Sequence, residues 1–234
     1  MNKIVPYSLA LVHLGWAISL IIDAQRYLGR LIYPPFFAIL HMIVVLMIVV
    51  RRLVGGILSA LMMAYYWFVV KPLEPIAEPQ SVGIFFLSLS LLAPLMGKWM
   101  RFENLLLLCL RFGVAYPYLE WGLDAFRNPL HFYAYLLQNP FTRFLAELNL
   151  IKETVLILGF TELLISTIML LGLSIKQFSA LSIAVLVTFM VVAGYPLALP
   201  QNIALAAASI VLAKMGGGEY VIRSVPKLLR VLVR

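Results

Sequence analysis

Eight windows of the chain are apolar on every face and are separated from one another by charge, Pro or Gly. They predict helices over 4–22, 35–50, 53–70, 82–99, 104–122, 154–173, 178–195 and 202–215. Runs such as LLLLCL and MIVVLMIVV lack the alternation that a membrane barrel strand requires, so the spanning element is a helix. Residues 35–70 as one helix would reach about 54 Å against a hydrocarbon layer of roughly 30 Å. Arg51-Arg52 and Gly55-Gly56 divide them into a tight hairpin instead.

Composition agrees with this pattern. Hydrophobic residues make up 63% of the chain and charged residues 12%, with a mean hydropathy of +1.00, more apolar surface than one water-soluble core absorbs. The expected class is an all-α, multi-pass integral membrane protein. Its first segment has no small-x-small cleavage site before Asp23, Gln25 and Arg26, and is read as a retained transmembrane helix. Cys109 is the single cysteine, which excludes an intrachain disulfide and a CxxC metal or redox motif.

The chain also resembles itself. PIAEPQ at Pro75 to Gln80 returns as PLALPQ at Pro196 to Gln201, and at the same shift of 121 residues His41 aligns with Glu162 and Phe68 with Phe189. Asp23-Ala24-Gln25-Arg26 matches Asp124-Ala125-Phe126-Arg127 at a shift of 101, and His13-Leu14-Gly15 resembles Arg111-Phe112-Gly113 at 98. This predicts two tandem four-helix repeats, over 1–100 and 101–222. An even number of helices per repeat makes the two bundles parallel, related by an axis along the membrane normal. The second repeat gains NPLHFYAYLLQNPFTRFLAELNL, whose two Asn-Pro breaks and aromatic residues predict short helices at the outer surface.

Charge sets the orientation. Ten Lys and Arg lie in loops on one side and six on the other, so the richer side, with both termini, is expected in the cytoplasm of a cell-membrane protein. The net charge of +8 is therefore read as topology and not as nucleic-acid binding. Residues 223–234 place Arg223, Lys227, Arg230 and Arg234 on one helical face, either a plain positive-inside stop or a helix lying on the anionic inner leaflet.

Charges within the apolar windows are the candidate chemistry. Arg111 and Glu162 lie at similar depth on adjacent antiparallel helices, and an unpaired ion there costs roughly 2.5 to 3.5 kcal/mol. They are expected to pair, either as a structural ion pair or as a polar site for a quinone headgroup or a proton. Glu120 and Asp124, one turn apart, repel one another as a proton-entry point would, or pair with Arg127 or Arg143. His13 and His41 face each other at mid-membrane, as a hydrogen-bonded pair or as the two axial ligands of a haem b. No metal-ion motif is present. Trp16, Trp67, Trp99 and Trp121 sit toward span ends as interfacial anchors.

The second half, LRFGVAYPYLEWGLDAFRNP, then GFTELLISTIMLLGL, then a short last helix running into GGGEY, resembles the DoxX-like family of four-helix membrane proteins. The resemblance rests on Arg111, Gly113, Gly122, Glu162, Gly172, Gly216, Gly218 and Tyr220. Val221-Ile222-Arg223 stands where the family often has Ser-Leu-Asp, and Asp124 where it has Lys. The resemblance implies a membrane subunit of a quinone-linked oxidoreductase, such as the one oxidising thiosulfate, working with partner subunits in the bilayer. A noncatalytic scaffold or assembly subunit is the alternative, and a small transporter the third. The Pro-rich corners stand at helix ends, not at midspan where a transporter breaks its helices.

Overall fold

The computed structural model describes residues 4–22, 34–70, 80–96, 102–193 and 199–218, and among them every regular element is helical. The helices are α1 (Ile4–Ile22), α2 (Pro34–Val50), α3 (Arg52–Tyr65), α4 (Gln80–Ser90), α5 (Phe102–Arg127), α6 (Pro129–Gln138), α7 (Ile151–Leu171), α8 (Ile175–Ala193) and α9 (Leu199–Met215). A π-turn over Tyr66–Val70 prolongs α3. Among the described residues four helices are long and apolar enough to cross a membrane: Ile4–Ile22, Arg52–Val69, Ile151–Leu171 and Ile175–Ala193. Their outward faces are apolar too. Ile21, Phe68, Ile157 and Phe160 are each at least 65% exposed, a surface compatible with contact to lipid.

Most boundaries follow the sequence. Arg51 is extended between α2 and α3, where the hairpin is expected. The window over 82–99 is shorter than expected. α4 stops at Ser90 and resumes as a single turn, Ala93–Met96, because Pro94 cannot donate to the Ser90 carbonyl. The window over 104–122 is longer, since α5 runs on through Pro117 to Arg127. Pro117 frees the Gly113 carbonyl, and Gly83 of α4 approaches so closely that a Cβ there would lie 2.8 Å from that oxygen. The Pro75–Pro79 stretch of the first corner, Pro196 to Ala198 of the second, Asp23 to Arg26, Trp99, Tyr220 and the basic tail lie outside the described residues.

Two rings of four helices share one hydrophobic core. In the first ring α1 packs on α2, α2 on α3 and α3 on α4. In the second α5 packs on α7, α7 on α8, α8 on α9 and α9 back on α5. The rings meet along α1 with α9 and along α4 with α5, so the first helix of each touches the fourth of the other. A Cβ on Gly15 would stand 2.8 Å from Pro200 Cγ, so α1 and α9 lie as close as α4 and α5 do.

The segment between α5 and α7 forms short helices, as its composition predicts. A small cluster of Ala125, Leu136 and Val155, with Phe132, Tyr133 and Val192 against it, seats α6 on the second ring. Asn139 fixes its end by donating from Nδ2 to the Val191 and Val192 carbonyls at 3.1 and 3.0 Å.

Candidate functional site

Each ring carries a layer of polar side chains within its apolar core. In the first, His13 on α1 and His41 on α2 are fully buried, with their Nδ1 atoms 2.7 Å apart. The outer nitrogens are engaged as well. His13 Nε2 lies 2.8 Å from Ser59 Oγ, and His41 Nε2 lies 2.9 Å from Tyr66 Oη. Ser59 Oγ is 2.6 Å from Ser88 Oγ, and Ser88 donates to the Ile84 carbonyl at 2.7 Å. Trp16 packs edge-on against both imidazoles.

The last of these bonds orders all the others. Because the Ser88 proton goes to Ile84, Ser59 must donate to Ser88, and His13 must donate from Nε2 to Ser59. His13 Nδ1 is then an acceptor, His41 donates to it from Nδ1, and Tyr66 donates to His41 Nε2. With both imidazoles neutral, this one arrangement of protons satisfies all of these bonds.

The two histidines do face each other, but they do not fit a haem. A metal between imidazoles, with bonds of about 2 Å to each, holds the opposing nitrogens about 4 Å apart. Here they touch at 2.7 Å, and both outer nitrogens are already bonded. The pair is hydrogen-bonded, which was the other reading of these residues. No group of three or more His, Cys, Asp or Glu suited to a metal ion occurs among the described residues.

In the second ring, Tyr118 on α5 donates to the Ser182 carbonyl on α8 at 2.8 Å. It accepts from Ser182 Oγ at 3.1 Å, and Ser209 on α9 lies 3.0 Å from Ser182 Oγ. At the same level α7 buries Glu162 and Ser166 completely, one turn apart on one face. Neither oxygen of Glu162 has a hydrogen-bond partner, and neither has Ser166 Oγ. Glu162 stands within electrostatic reach of Tyr118 and Asp124.

The expected ion pair between Arg111 and Glu162 is not formed. Arg111 instead donates from Nε to the Met169 carbonyl at 3.0 Å, and from its two terminal nitrogens to Leu170 at 2.9 Å and Gly217 at 3.3 Å. The guanidinium thus covers the last carbonyls of α7, which have no partner within their own helix. Met169 lies seven residues beyond Glu162, about 10 Å along the axis, so Arg111 and Glu162 occupy different layers. Several glycines of the resemblance belong to this corner. Gly172 closes α7 in the left-handed region at φ 75°, and Gly216 and Gly218 turn the chain at φ 81° and 75°.

Glu120 and Asp124 have local partners and not the loop arginines. Tyr116 donates to Glu120 Oε1, while Asp124 accepts from Asn128 at 2.7 Å and from His131 Nδ1 at 2.9 Å on the exposed surface. Trp16 and Trp121 are half-buried and packed against the core, Trp121 edge-on to Tyr118 and Phe189. Sequence reasoning passed over Tyr66, Ser59, Ser88, Tyr118, Ser182 and Ser209. One signal was available, because Ser88 and Ser209 are separated by the same 121 residues as His41 and Glu162. A groove of about 390 Å³ between α2 and α3, lined by Phe36, Phe37, Leu40, Val44 and Leu58 among others, is apolar and suits hydrocarbon.

No protein-family model matches the chain, and no curated protein or solved structure does so either.

Proposed function

We propose that the chain is an integral membrane subunit of a quinone-linked oxidoreductase complex, and that Glu162 with Ser166 forms its site for a quinone headgroup or a proton. One observation carries this reading: the Glu162 carboxyl is fully buried, and both of its oxygens lack a donor. Left in that state the group costs several kcal/mol, because it has given up water and gained nothing. A guest bringing O–H donors restores what is missing, and a quinol headgroup has such donors. A bound quinone supplies the two-electron acceptor, while the electrons come from a partner subunit oxidising a donor such as thiosulfate. Glu162 holds or passes the proton, Ser166 orients the guest, and Arg111 keeps the end of α7 in place without touching it.

The proposal includes eight membrane spans in two tandem repeats, with both termini cytoplasmic. The reciprocal contacts of α1 with α9 and of α4 with α5 support a two-fold relation. So do the matching ties from the first helix to serines on the third and fourth, His13 to Ser59 to Ser88 and Tyr118 to Ser182 to Ser209.

The scaffold reading has its own support, since the polar groups of the first ring and the Arg111 corner are fully used in holding helices together. Glu162→Gln in the purified membrane complex separates the two. A quinone site loses co-purifying quinone and turnover, whereas a scaffold keeps both at wild-type level. Wild-type complex without quinone, together with unchanged turnover in the variant, would refute the proposal.

A further inference from the structure

We propose that the groove between α2 and α3 binds one acyl chain of a membrane phospholipid. The proposal rests on the chain's place in the bilayer and not on the quinone reading, because the groove belongs to the first ring and Glu162 to the second. The groove exists because α2 and α3 meet at one end and part toward the other. At the Arg51 turn their backbones are in contact, since a Cβ on Gly55 would lie 2.3 Å from the Ile48 nitrogen. One turn further along each helix, Val44 and Leu58 already line a gap, and it continues to Phe36 and Tyr65. There Phe37 stacks on Tyr65 with ring centroids 5.6 Å apart, so large rings prop open the end opposite the glycine.

Chemistry and dimensions narrow the guest. The side chains that line the groove are apolar apart from the Tyr65 hydroxyl, so a polar ligand finds nothing there to orient it. A volume of about 390 Å³ spread over residues 36–44, roughly 12 Å of helix, gives a mean cross-section of about 30 Å². A helix about 10 Å across needs roughly 80 Å², so a partner's helix does not enter, whereas a single extended hydrocarbon chain does. The groove also opens outward along Arg52–Val69, a helix able to cross the membrane. Its rims at Phe36, Ile43 and Leu61 are between 42% and 63% exposed and continue the apolar outer surface of the two helices. Until a chain fills it, the walls of such a groove lack dispersion partners on one side.

The lipid comes from the leaflet away from the Arg51 turn, the outer one in the orientation proposed above. Its chain enters beside Phe36 and ends near Val44, and Tyr65 offers its hydroxyl to an ester oxygen, which a plain hydrocarbon tail lacks. The second ring does not repeat the site. At the shift of 121, Leu58 and Leu61 correspond to Ser179 and Ser182, both buried, whose hydroxyls face Met169 and Tyr118. The segment α6, which the second repeat alone carries, lies against Val155 of α7 and Val192 of α8. The chain covers that furrow with its own Leu136, and a lipid takes the corresponding place on α2 and α3.

The test places the full-length protein in phosphatidylcholine nanodiscs that include a phosphatidylcholine with a diazirine on one acyl chain. After illumination, peptide mass spectrometry maps the adducts. Labelling over residues 36–44 and 58–65 is expected to exceed several-fold that over residues 156–160, an exposed apolar stretch of α7 that serves as the control. Leu58→Trp fills the groove and is expected to bring its labelling down to the control level, and Leu58→Phe part of the way. Equal labelling of groove and control in wild type would overturn the proposal, and so would undiminished labelling in Leu58→Trp. Native mass spectrometry of the detergent-purified protein is expected to show one retained phospholipid that Leu58→Trp loses. A second copy, another protein or a quinone lost in its place would overturn the assignment. Glu162→Gln is expected to label as wild type does whether or not it keeps quinone, so the two proposals fail separately.

Discussion

His13 and His41 donate and accept through the same ring position, Nδ1 to Nδ1 at 2.7 Å, so the two imidazoles must be opposite tautomers. The Ser88 bond to the Ile84 carbonyl settles which is which, although it lies three bonds away. In ¹⁵N-labelled protein, His13 is expected to carry its proton on Nε2 and His41 on Nδ1. Ring-nitrogen NMR shifts read this directly. In Ser59→Ala the His13 donor has no acceptor, and with that constraint gone the two rings are expected to populate both tautomers.

Arg111 and Glu162 are expected to act independently. Arg111→Gln removes charged donors from three carbonyls and should lower stability by about 2 to 4 kcal/mol, at roughly 1.5 to 3 for each hydrogen bond to a charged group and partial replacement by the amide. Arg111→Lys should recover little, because a single ammonium cannot reach the Met169, Leu170 and Gly217 carbonyls together. Glu162→Gln breaks no bond and should leave the thermal midpoint in detergent unchanged or slightly higher. The double-variant cycle should give a coupling within about 0.5 kcal/mol of zero. An ion pair would give a large coupling.

That pair was misjudged for a geometric reason that applies widely. Counting residues from the end of a span gives the height of a side chain, but neither its azimuth nor its reach. Arg111 extends toward the end of α7, where it donates to the Met169 and Leu170 carbonyls, and Glu162 stays at its own level. Helix positions were far more legible, and α1 falls on the residues expected from the apolar run alone. His13 and His41 could also be placed face to face, because imidazoles are conspicuous in apolar helices. Their partners could not, since a Ser or Tyr in such a helix also bonds readily to its own backbone, as Ser8 and Ser19 do here. The short α4 and the long α5 differ because Pro94 lies where its missing N–H ends a helix, whereas the carbonyl freed by Pro117 is met by Gly83.

Asn139 is the catch that holds the segment between α5 and α7 against α8. Its Nδ2 reaches two carbonyls at the end of α8, and its Oδ1 accepts from the Phe141 amide. Asn139→Ala should leave the rings intact but increase hydrogen exchange over Pro129–Gln138 and around Phe141. The midpoint of global unfolding should fall by no more than about 1 kcal/mol equivalent, the usual net worth of such bonds on a surface. Unchanged exchange there would mean that the Leu136 cluster alone holds the segment.

The contact between the rings depends on glycines at both seams. A Cβ on Gly15 would lie 2.8 Å from Pro200 Cγ, and one on Gly83 would lie 2.6 Å from Pro117 Cγ and 2.8 Å from the Gly113 carbonyl oxygen. Proline rings and backbone do not yield as a flexible side chain does, so the helices themselves must separate. Gly15→Ala and Gly83→Ala are each expected to cost about 1 to 3 kcal/mol, the usual range for overpacking. Gly83→Ala should be the worse of the two, because backbone stands in its way. The double variant opens both seams of one interface and should lose more than the sum of the singles, since each seam left intact limits how far the other can part. Thermal unfolding in detergent, followed by tryptophan emission, reads all three. Additive or smaller losses would show that each seam yields locally and that the rings do not move as units.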